Sequence, residues 1–501
     1  MRNLLSRRAF ARAAGAGILG AAAPAIIGQN KRPNVLFVIA DDWGHQHAGA
    51  YGCPWVRTPN FDRVAREGVL FTNCFTSNPK CSPSRATILT GRNSWQLAEA
   101  VNHMSIFPNE FPIYPQLLEK AGYAVGYTGK GWGPGDFKST GFAHNPAGRE
   151  YQKHMLKPPV SGASNKDYAK NFDYFLEQRP KDSPFCFWLG THEPHRVYEE
   201  GSGIRAGRKI ADVTVPAYFP DNRIVRSDLL DYGQEVEWVD QHLGRVMKRL
   251  EEIGELDNTL LVVTSDHGMP FPRVKGQIYE NGFHIPLAVR WGRNIPAGRV
   301  VDDFINARDF APTFLQAAGV PAPESMTGRG FTDILRSNKA GIVDASRDVM
   351  LIGKERHDLG RPGDAGYPVR AIRTREYLYI RNFEPERWPA GNPETGYRNC
   401  DDSPSKAAIL SGFDKYYRMS FGLRPPEELY AMDKDPECVN NLAASLDHAQ
   451  AKRQLQARME AMLRAEGDPR LTGNAAFFDT IEYTGSRKHS WSEWEKFRRP
   501  R

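Results

Sequence analysis

The stretch RPNVLFVIADDWG occupies residues 32–44 and predicts a buried strand that carries acidic groups at its end. Its apolar residues run on without the polar alternation of a half-exposed strand, which is typical of a parallel strand covered on both faces. The run ends at Asp41 and Asp42. A single Asp-Asp pair after a strand is more often a turn or a helix cap than a metal site, so further acidic ends are needed before chemistry is indicated.

Three further strand-like runs also end in polar groups. Those groups are Lys130, His192, His195, Asp266 and His267. An amphipathic helix is predicted at 228–253, between two of these runs. Strands alternating with helices indicate an α/β sheet covered on both faces, whose site lies outside the carboxyl ends of the strands. Two acidic ends with a basic loop between them favour a hard divalent cation held by oxygens, calcium first and magnesium second.

The segment CSPSRATILTGR at residues 81–92 predicts a helix with Cys81 at its N-terminus. Pro83 fits the first turn, and the helix is expected to run until Gly91. Free amides and the helix dipole favour an anion at such a terminus. Arg85 lies one turn along the same face and can point back at position 81. This arrangement suits a tetrahedral oxyanion held against residue 81.

The same segment resembles the C-x-P-S-R-x-x-x-L/T-G-R signature of type I, formylglycine-dependent sulfatases, a family of the alkaline-phosphatase-like superfamily. The similarity continues in family order through VLFVIADDWG, GYTGKGWGPG, THEPHR, TSDHG with a following Lys275, and PPEELYAMDKDPECVNNLA. It is closest to the bacterial relatives of heparan N-sulfatase (sulfamidase). The resemblance implies a large mixed α/β sheet sandwiched by helices, with a smaller C-terminal α+β subdomain that contains a short antiparallel sheet.

The resemblance also implies a chemistry for Cys81. A maturation enzyme would oxidise it to Cα-formylglycine, whose hydrate carries two hydroxyls. One would attack sulfur to give a sulfo-enzyme, and loss of the second proton would then release sulfate. The implied calcium ligands are a formylglycine oxygen at Cys81 together with Asp41, Asp42, Asp266 and His267. Many relatives have asparagine where this chain has His267.

The other implied roles concern sulfate and sugar. Arg85 would fix the diol and the metal site, Lys130 and Lys275 would bind sulfate oxygens, and His195 would bind the ester or protonate the leaving oxygen. The sugar is expected to contact Glu355, Arg356 and His357. In one departure from the family, Trp132 stands where a histidine commonly acts as the diol base. His192 and His284 are candidate replacements.

The implied substrate is a sulfated saccharide, either N-sulfoglucosamine of the heparan type or an O-sulfate ester of an algal polysaccharide such as ulvan or carrageenan. Two alternatives are a phosphonate monoester or phosphodiester hydrolase of the same superfamily, and a glycan-binding protein that has lost turnover. The net charge of +7 is modest for 501 residues and no long Lys/Arg run occurs, which argues against nucleic acid as a partner.

The N-terminus predicts export. Arg7 and Arg8 precede an Ala/Gly-rich stretch, as in a twin-arginine signal peptide over residues 1–28 that is cleaved near Ala25. The stretch is a poor membrane span, so we expect a periplasmic or secreted protein that uses the twin-arginine machinery and is not stably inserted in a membrane.

The rest of the chain is expected to divide into a catalytic domain at 30–345 and a C-terminal subdomain at 346–501 that completes the substrate pocket. In the latter, REYLYIRNF predicts a strand, 442–466 a helix, and 360–425 pocket-shaping loops. The six cysteines show no zinc spacing and leave open a pairing such as Cys400 with Cys438, whereas Cys186 is expected in the core.

Overall fold

Strand β1, Asn34–Ala40, lies near the centre of a nine-stranded sheet and is wholly buried. The computed structural model describes residues 32–412 and 414–498, so the predicted signal peptide lies outside the described part. In that part, we find no helix with the length and apolar character needed to span a membrane.

Fifteen strands occur in the described part of the chain. They are β1 Asn34–Ala40, β2 Val69–Phe75, β3 Ser105–Ile106, β4 Ala124–Gly129, β5 Gly135–Asp136, β6 Arg149–Glu150, β7 Phe185–Gly190, β8 Thr259–Ser265, β9 His284–Arg290, β10 Arg299–Val301, β11 Ile305–Asn306, β12 Val349–Lys354, β13 Val369–Thr374, β14 Tyr377–Asn382 and β15 Glu427–Ala431.

The α-helices, again for the described residues, are α1 Pro59–Arg66, α2 Cys81–Thr90, α3 Tyr114–Lys120, α4 Tyr168–Gln178, α5 Ser202–Arg205, α6 Arg223–Glu252, α7 Glu280–Phe283, α8 Phe310–Ala318, α9 Thr332–Arg336, α10 Pro404–Gly412, α11 Lys415–Ser420, α12 Ala449–Ala465, α13 Pro469–Thr472, α14 Phe477–Thr480 and α15 Trp491–Arg498. The predicted helices at 228–253 and 442–466 correspond to α6 and α12.

The large sheet has the strand order β10-β2-β9-β8-β1-β7-β4-β6, and β11 also pairs with β2. Strands β8, β1, β7 and β4 are neighbours and run parallel. Strand β9 is antiparallel to both β8 and β2, so the sheet is mixed. Because β2 and β8 are both antiparallel to β9, they run parallel to each other, and β2 ends at the same edge as β8 and β1.

Both faces of the large sheet are covered, which explains the uninterrupted apolar run of β1. Leu36 and Val38 point into a core shared with α6, whereas Phe37 and Ile39 point into a second core shared with α8. Successive strand residues face opposite sides, so a strand buried on both sides needs apolar residues at every position. The predicted α/β class with a mixed sheet between helices is confirmed.

A separate antiparallel sheet follows in the order β12-β13-β14-β15. Strand β14 is the one predicted from REYLYIRNF, and α12 packs on this sheet through Leu455, Met459 and Leu463. The described residues from 33 onwards form one compact unit, and the division near residue 345 stays a prediction.

A buried ion pair links α7 of the first part of the chain to β13 of the small sheet. Glu280 accepts two hydrogen bonds from Arg373, at 2.8 and 3.1 Å. Burial alone would raise the pKa of Glu280, but Arg373 and His284 lower it from 4.5 to about 2. A lowered carboxyl pKa stabilises the fold above the ordinary pKa, and this contribution is lost as the pH falls towards the folded value.

Replacing Glu280 with glutamine is therefore expected to lower the free energy of unfolding by about 3 kcal/mol at pH 7. The difference between the two proteins should shrink as the pH falls from about 4.5 towards 2. Urea unfolding of both proteins at about pH 7, 4 and 3 measures this difference in the free energy of unfolding. A deficit that stays constant with pH would contradict the assignment to this carboxylate.

Candidate active site

Four neighbouring parallel strands deliver their terminal residues to one edge of the large sheet. Asp41 follows β1, Lys130 follows β4, His195 lies in the loop after β7, and Asp266 follows β8. Because these strands are adjacent, the side chains meet, and the backbone joins them as well: Asp266 N–H donates to the Ala40 carbonyl at 3.3 Å. The sequence-based expectation of a site at this edge agrees with the structure.

Helix α2 brings Cys81 to the same edge. It begins at Cys81, every one of its residues is buried, and it ends at Gly91, whose φ of 65° suits glycine. The first turn is held from two sides. Ser84 Oγ donates to the Asp266 carbonyl at 2.6 Å, and Trp132 Nε1 donates to the Ser82 carbonyl at 3.0 Å. Cys81 is thus fixed at a helix N-terminus, as predicted.

Four ligand-bearing side chains converge there. Single ligand atoms of Asp41, Asp42, Cys81 and His267 all lie within 4.8 Å of one another. His267 Nδ1 donates to the Gly268 carbonyl at 3.0 Å, an orientation typical of metal-binding histidines. Its Nε2 then faces Asp42 Oδ1 at 3.0 Å and Cys81 Sγ at 3.4 Å.

The position of His267 Nε2 tests whether these residues fit a metal ion. Burial alone would lower the pKa of His267, but Asp266 and Asp42 raise it to about 9. Without a cation the ring therefore keeps a proton between two acidic partners, at the place where a divalent ion would exchange for it. Buried carboxylates that crowd one point also favour a cation. The residues fit a divalent metal.

Arg85 neutralises the carboxylates behind this cluster. The guanidinium is fully buried and pairs with Asp266 Oδ2 at 2.8 Å and Asp41 Oδ1 at 3.2 Å. It also donates to the Lys130 and Gly131 carbonyls at 2.8 and 3.0 Å. These contacts hold the guanidinium on the carboxylates of the site. The expectation that Arg85 points back at residue 81 stays a prediction. Asp266 lies outside the set of four, and its role as a ligand stays a prediction.

Two lysines complete the charge balance. Lys130 Nζ binds Asp41 at 2.6 and 2.8 Å, and Lys275 Nζ binds Asp42 at 2.7 Å and Asp401 at 3.0 Å. Burial alone would raise the pKa of the Cys81 thiol. Lys130, Lys275 and His267 more than offset this effect, and the pKa falls well below its usual range. The site therefore stabilises negative charge on residue 81.

A cavity of about 700 Å³ opens directly over these groups. Cys81, Lys130, Lys275 and His195 all line it. His195 Nδ1 donates to the Arg196 carbonyl at 2.6 Å, which leaves Nε2 for the cavity, 4.0 Å from Asp42 Oδ2. The cavity has the size of a saccharide-binding pocket, and its floor is built from the predicted anion-binding residues.

The three residues expected to bind the sugar do not reach the cavity. Glu355 is paired with Arg370 at 2.8 Å and Arg470 at 2.6 Å, Arg356 donates to the Ile481 carbonyl, and His357 binds Asn78 at 2.8 Å. The next residue in the chain, Asp358, lines the cavity. The segment is irregular after β12 ends at Lys354, so no strand alternation fixes which of its side chains faces the cavity. A role of residues 355–357 in binding the sugar stays a prediction.

Several cavity residues were missed by the sequence analysis. They are Lys80, His103, Arg196, Asp358, Arg398 and Asp401. Arg398 and Asp401 fall in the stretch at 360–425 that was expected to shape the pocket, and Lys80 directly precedes Cys81. His103 has no such signal, because it belongs to an irregular loop whose placement depends on tertiary contacts.

Trp132, His192 and His284 can now be placed. Trp132 is buried with its ring edge-on to Phe107 at 4.9 Å. His192 lines the cavity, and burial lowers its pKa to about 4. His284 stacks on His45 at 3.7 Å and uses its two nitrogens on Glu280 and the Thr72 carbonyl. His284 is thereby committed elsewhere in the fold.

All six cysteines lie in the described part of the chain and are free thiols. The pairing of Cys400 with Cys438 that the sequence left open is not formed. Cys186 lies in β7 at 2% exposure, a core thiol as predicted.

A buried residue at a helix N-terminus, a divalent-metal set and two lysines under an open cavity define a hydrolase of anionic esters. The sulfatase family model matches residues 33–320, more than half of the chain, and the model named "N-sulphoglucosamine sulphohydrolase, C-terminal" matches residues 271–386. The chain belongs to the sulfatase family and is a sulfuric ester hydrolase.

Relatives with assigned activities agree with this family. An ulvan-active sulfatase from Formosa agariphila is 27% identical over 88% of this chain and 81% of its own length. Human N-sulphoglucosamine sulphohydrolase is 28% identical over 87% of this chain and 91% of its own length.

Solved structures show the same fold. A protein bound to its substrate D-glucosamine-2-N,6-O-disulfate has a TM-score of 0.64 at 23% identity, covering 88% of this chain and 100% of that one. A phosphonate monoester hydrolase from Silicibacter pomeroyi has a TM-score of 0.64 at 19% identity, covering 87% of this chain and 96% of that one.

Proposed function

We propose that this sulfatase removes sulfate from a sulfated saccharide, with N-sulfoglucosamine of the heparan type or an algal O-sulfated sugar as substrate. The observation that carries the proposal is the placement of Cys81 under an open cavity, within the electrostatic reach of Lys130, Lys275 and a divalent-metal set. The choice of sugars is supported by the named activities of the human and Formosa relatives.

In this proposal Cys81 is converted to formylglycine, which in its hydrated form supplies an oxygen nucleophile and a second hydroxyl. Lys130 and Lys275 bind the sulfate oxygens. Both lysines line the cavity, and their ammonium groups are hydrogen-bonded to carboxylates of the metal set. Their charge stabilises the oxyanion that develops on the sulfuryl group. Arg85 holds Asp41 and Asp266 in place for the metal.

His195 acts on the leaving group. Its Nδ1–H is held by the Arg196 carbonyl, and its side chain is 36% exposed, so Nε2 can meet a substrate that enters from solvent. A protonated Nε2 gives its proton to the oxygen or nitrogen that departs with the sugar.

Calcium is the proposed metal, with magnesium as the second choice, held by Asp41, Asp42, Asp266, His267 and residue 81. Bound there, such an ion would supply positive charge that favours a sulfate group and a negatively charged side chain at residue 81. The oxygen-rich set favours calcium over softer ions.

Metal removal tests this assignment. Dialysis against EGTA, which prefers calcium to magnesium, is expected to lower sulfate release at least about tenfold, and added calcium should restore it better than magnesium. Elemental analysis of the purified protein should find about one calcium per chain, because the proposed ligands form a single site. The variant His267→Asn serves as a control and should keep its calcium, since the amide offers an oxygen ligand. Full activity without any bound divalent ion would contradict the proposal.

Export is part of the proposal. The protein would be matured in the cytoplasm while residues 81–85 are still unfolded, and then carried folded through the twin-arginine route to the periplasm or the medium. Its partners are thus the maturation enzyme and the export machinery, in addition to the saccharide. Replacing Arg7 and Arg8 by lysine is expected to abolish export. Cell fractionation, which locates the protein in the cytoplasm or outside it, measures this effect.

The decisive experiment uses protein made with a co-expressed formylglycine-generating enzyme. Sulfate release would be measured by ion chromatography from N-sulfoglucosamine, 6-O-sulfated glucosamine, and oligosaccharides of ulvan and carrageenan. Release from one of these classes identifies the leaving atom, nitrogen or oxygen. Unmatured protein is the matched control, because it shares the fold but keeps the thiol.

A phosphonate monoester and a phosphodiester belong in the same panel. The solved phosphonate hydrolase shares only the fold with this chain at 19% identity. Faster turnover of those compounds than of every sulfated saccharide would overturn the proposal.

A further inference from the structure

Position 132 of this chain offers no proton-transfer group to residue 81. Trp132 is buried, and its one polar atom, Nε1, is used by the Ser82 carbonyl. An indole N–H only donates, so it cannot accept a proton from a neighbouring hydroxyl. Any acceptor must therefore come from another part of the fold.

His103 lies against residue 81. Both residues line the same cavity. Burial alone would lower the pKa of His103, but Asp358 and a side-chain hydrogen bond to Cys81 raise it. Nδ1 lies 2.8 Å from Asp358 Oδ1. Because a carboxylate only accepts, Nδ1 carries the proton of this contact, and Nε2 is the nitrogen left for residue 81.

Asp358 is itself anchored. Its second oxygen lies 3.0 Å from Lys80 Nζ, and Lys80 directly precedes Cys81. Two hydrogen bonds join the loop of His103 to the segment of Asp358: His103 N–H donates to the Arg356 carbonyl at 3.4 Å, and Arg356 N–H donates to the Asn102 side chain at Oδ1 at 2.9 Å. Asp358 therefore contacts both His103 and Lys80, the residue next to position 81.

We propose that His103, oriented by Asp358, is the histidine that hydrogen-bonds the side chain of residue 81 and accepts its hydroxyl proton. This inference rests on the proposed function, because it needs a hydroxyl at position 81. The O–H bond of residue 81 breaks, its electron pair stays on oxygen, and the proton binds the free pair of Nε2. Nδ1–H stays with Asp358, which keeps the ring in the accepting tautomer, as in other nucleophile, base and orienter sets.

The kinetic test uses matured protein and p-nitrophenyl sulfate. This activated ester contains no sugar, so its hydrolysis does not require the natural saccharide to be known. His103→Ala is expected to lower kcat by about 10² to 10³-fold with little change in KM. Asp358→Asn should lower kcat by a smaller factor, because the imidazole remains but its orientation is lost. The exposed His144 provides the matched control, His144→Gln, with wild-type kinetics expected.

Imidazole in the buffer separates proton transfer from a structural role. The cavity over residue 81 is open, so imidazole can occupy the space left in His103→Ala and restore part of kcat. A variant that is folded by its unfolding temperature, impaired, and not rescued would count against the proposal. A kcat within about threefold of wild type for His103→Ala would overturn it.

A readout independent of activity is the crystal structure of matured protein. His103 Nε2 should lie within about 3.2 Å of an oxygen of residue 81. A ring turned away from both oxygens would overturn the proposal. If the proposed function is wrong, no sulfated sugar is hydrolysed. The distance between His103 and residue 81 and the kinetics with p-nitrophenyl sulfate still decide the role of His103 in that case.

Discussion

Cys81→Ser is expected to give a folded protein whose sulfate release is lower by at least about 10³-fold, the scale seen when a covalent nucleophile is lost. A serine that remains a serine has one oxygen on Cβ, whereas the aldehyde hydrate has two. A single hydroxyl can accept a sulfuryl group but has no second hydroxyl with which to expel it. The measurement is steady-state release of nitrophenol from p-nitrophenyl sulfate by protein made with the maturation enzyme.

The half-buried Cys53 supplies the matched control, since it lies outside the cavity-lining set. Cys53→Ser should keep the wild-type rate, whereas Cys81→Ser should keep only the wild-type unfolding temperature. A mass spectrum of the peptide that contains residue 81 shows the extent of conversion. Wild-type turnover by Cys81→Ser would exclude the proposed chemistry.

Arg85→Met is expected to have the second largest effect. The side chain is fully buried and is paired with Asp41 and Asp266. Its removal takes away the one guanidinium that pairs with both buried carboxylates, and Lys130 is left as the partner of Asp41. Breaking a buried ion pair in this way destabilises a protein by about 3–5 kcal/mol. The free energy of unfolding in urea, measured in EGTA, should fall by this amount, and sulfate release should be lost with it.

Calcium and a surface arginine distinguish this effect from general damage. Added calcium should recover part of the stability of Arg85→Met, because the ion would neutralise the same carboxylates. The control Arg57→Met removes an arginine whose side chain is 72% exposed and 3.7 Å from Glu237. Its effect should stay below about 1 kcal/mol. Equal stability of Arg85→Met and wild type in EGTA would refute the role given to this ion pair.

The central elements of the fold were predictable because local patterns and long-range packing agree in them. The apolar run of β1 matches a strand buried on both faces, and α2 starts and stops where Pro83 and Gly91 indicate. The acidic and basic strand ends met as expected, since parallel neighbours share one edge. Side-chain partners were less predictable: the pairing of Arg85 with both Asp41 and Asp266 has no local signal in the sequence.

The outer wall of the cavity shows where prediction from the sequence stops. The triplet at 355–357 was placed one residue short of Asp358, because an irregular segment has no periodicity that fixes which side chain points inward. His103 was not foreseen at all. It reaches Cys81 only because Asp358, more than 250 residues later, meets it across the site.

The amino-acid sequence by itself determined the sulfatase family, and it indicated the positions proposed for the nucleophile, the metal ligands and the two lysines. These depend on short motifs and on strand order, which are encoded locally. The tertiary structure alone decided that Trp132 packs against the turn at Ser82 and that His103 stands beside residue 81. Such contacts join distant loops, whose relative positions are set by packing of the whole core and not by any local pattern.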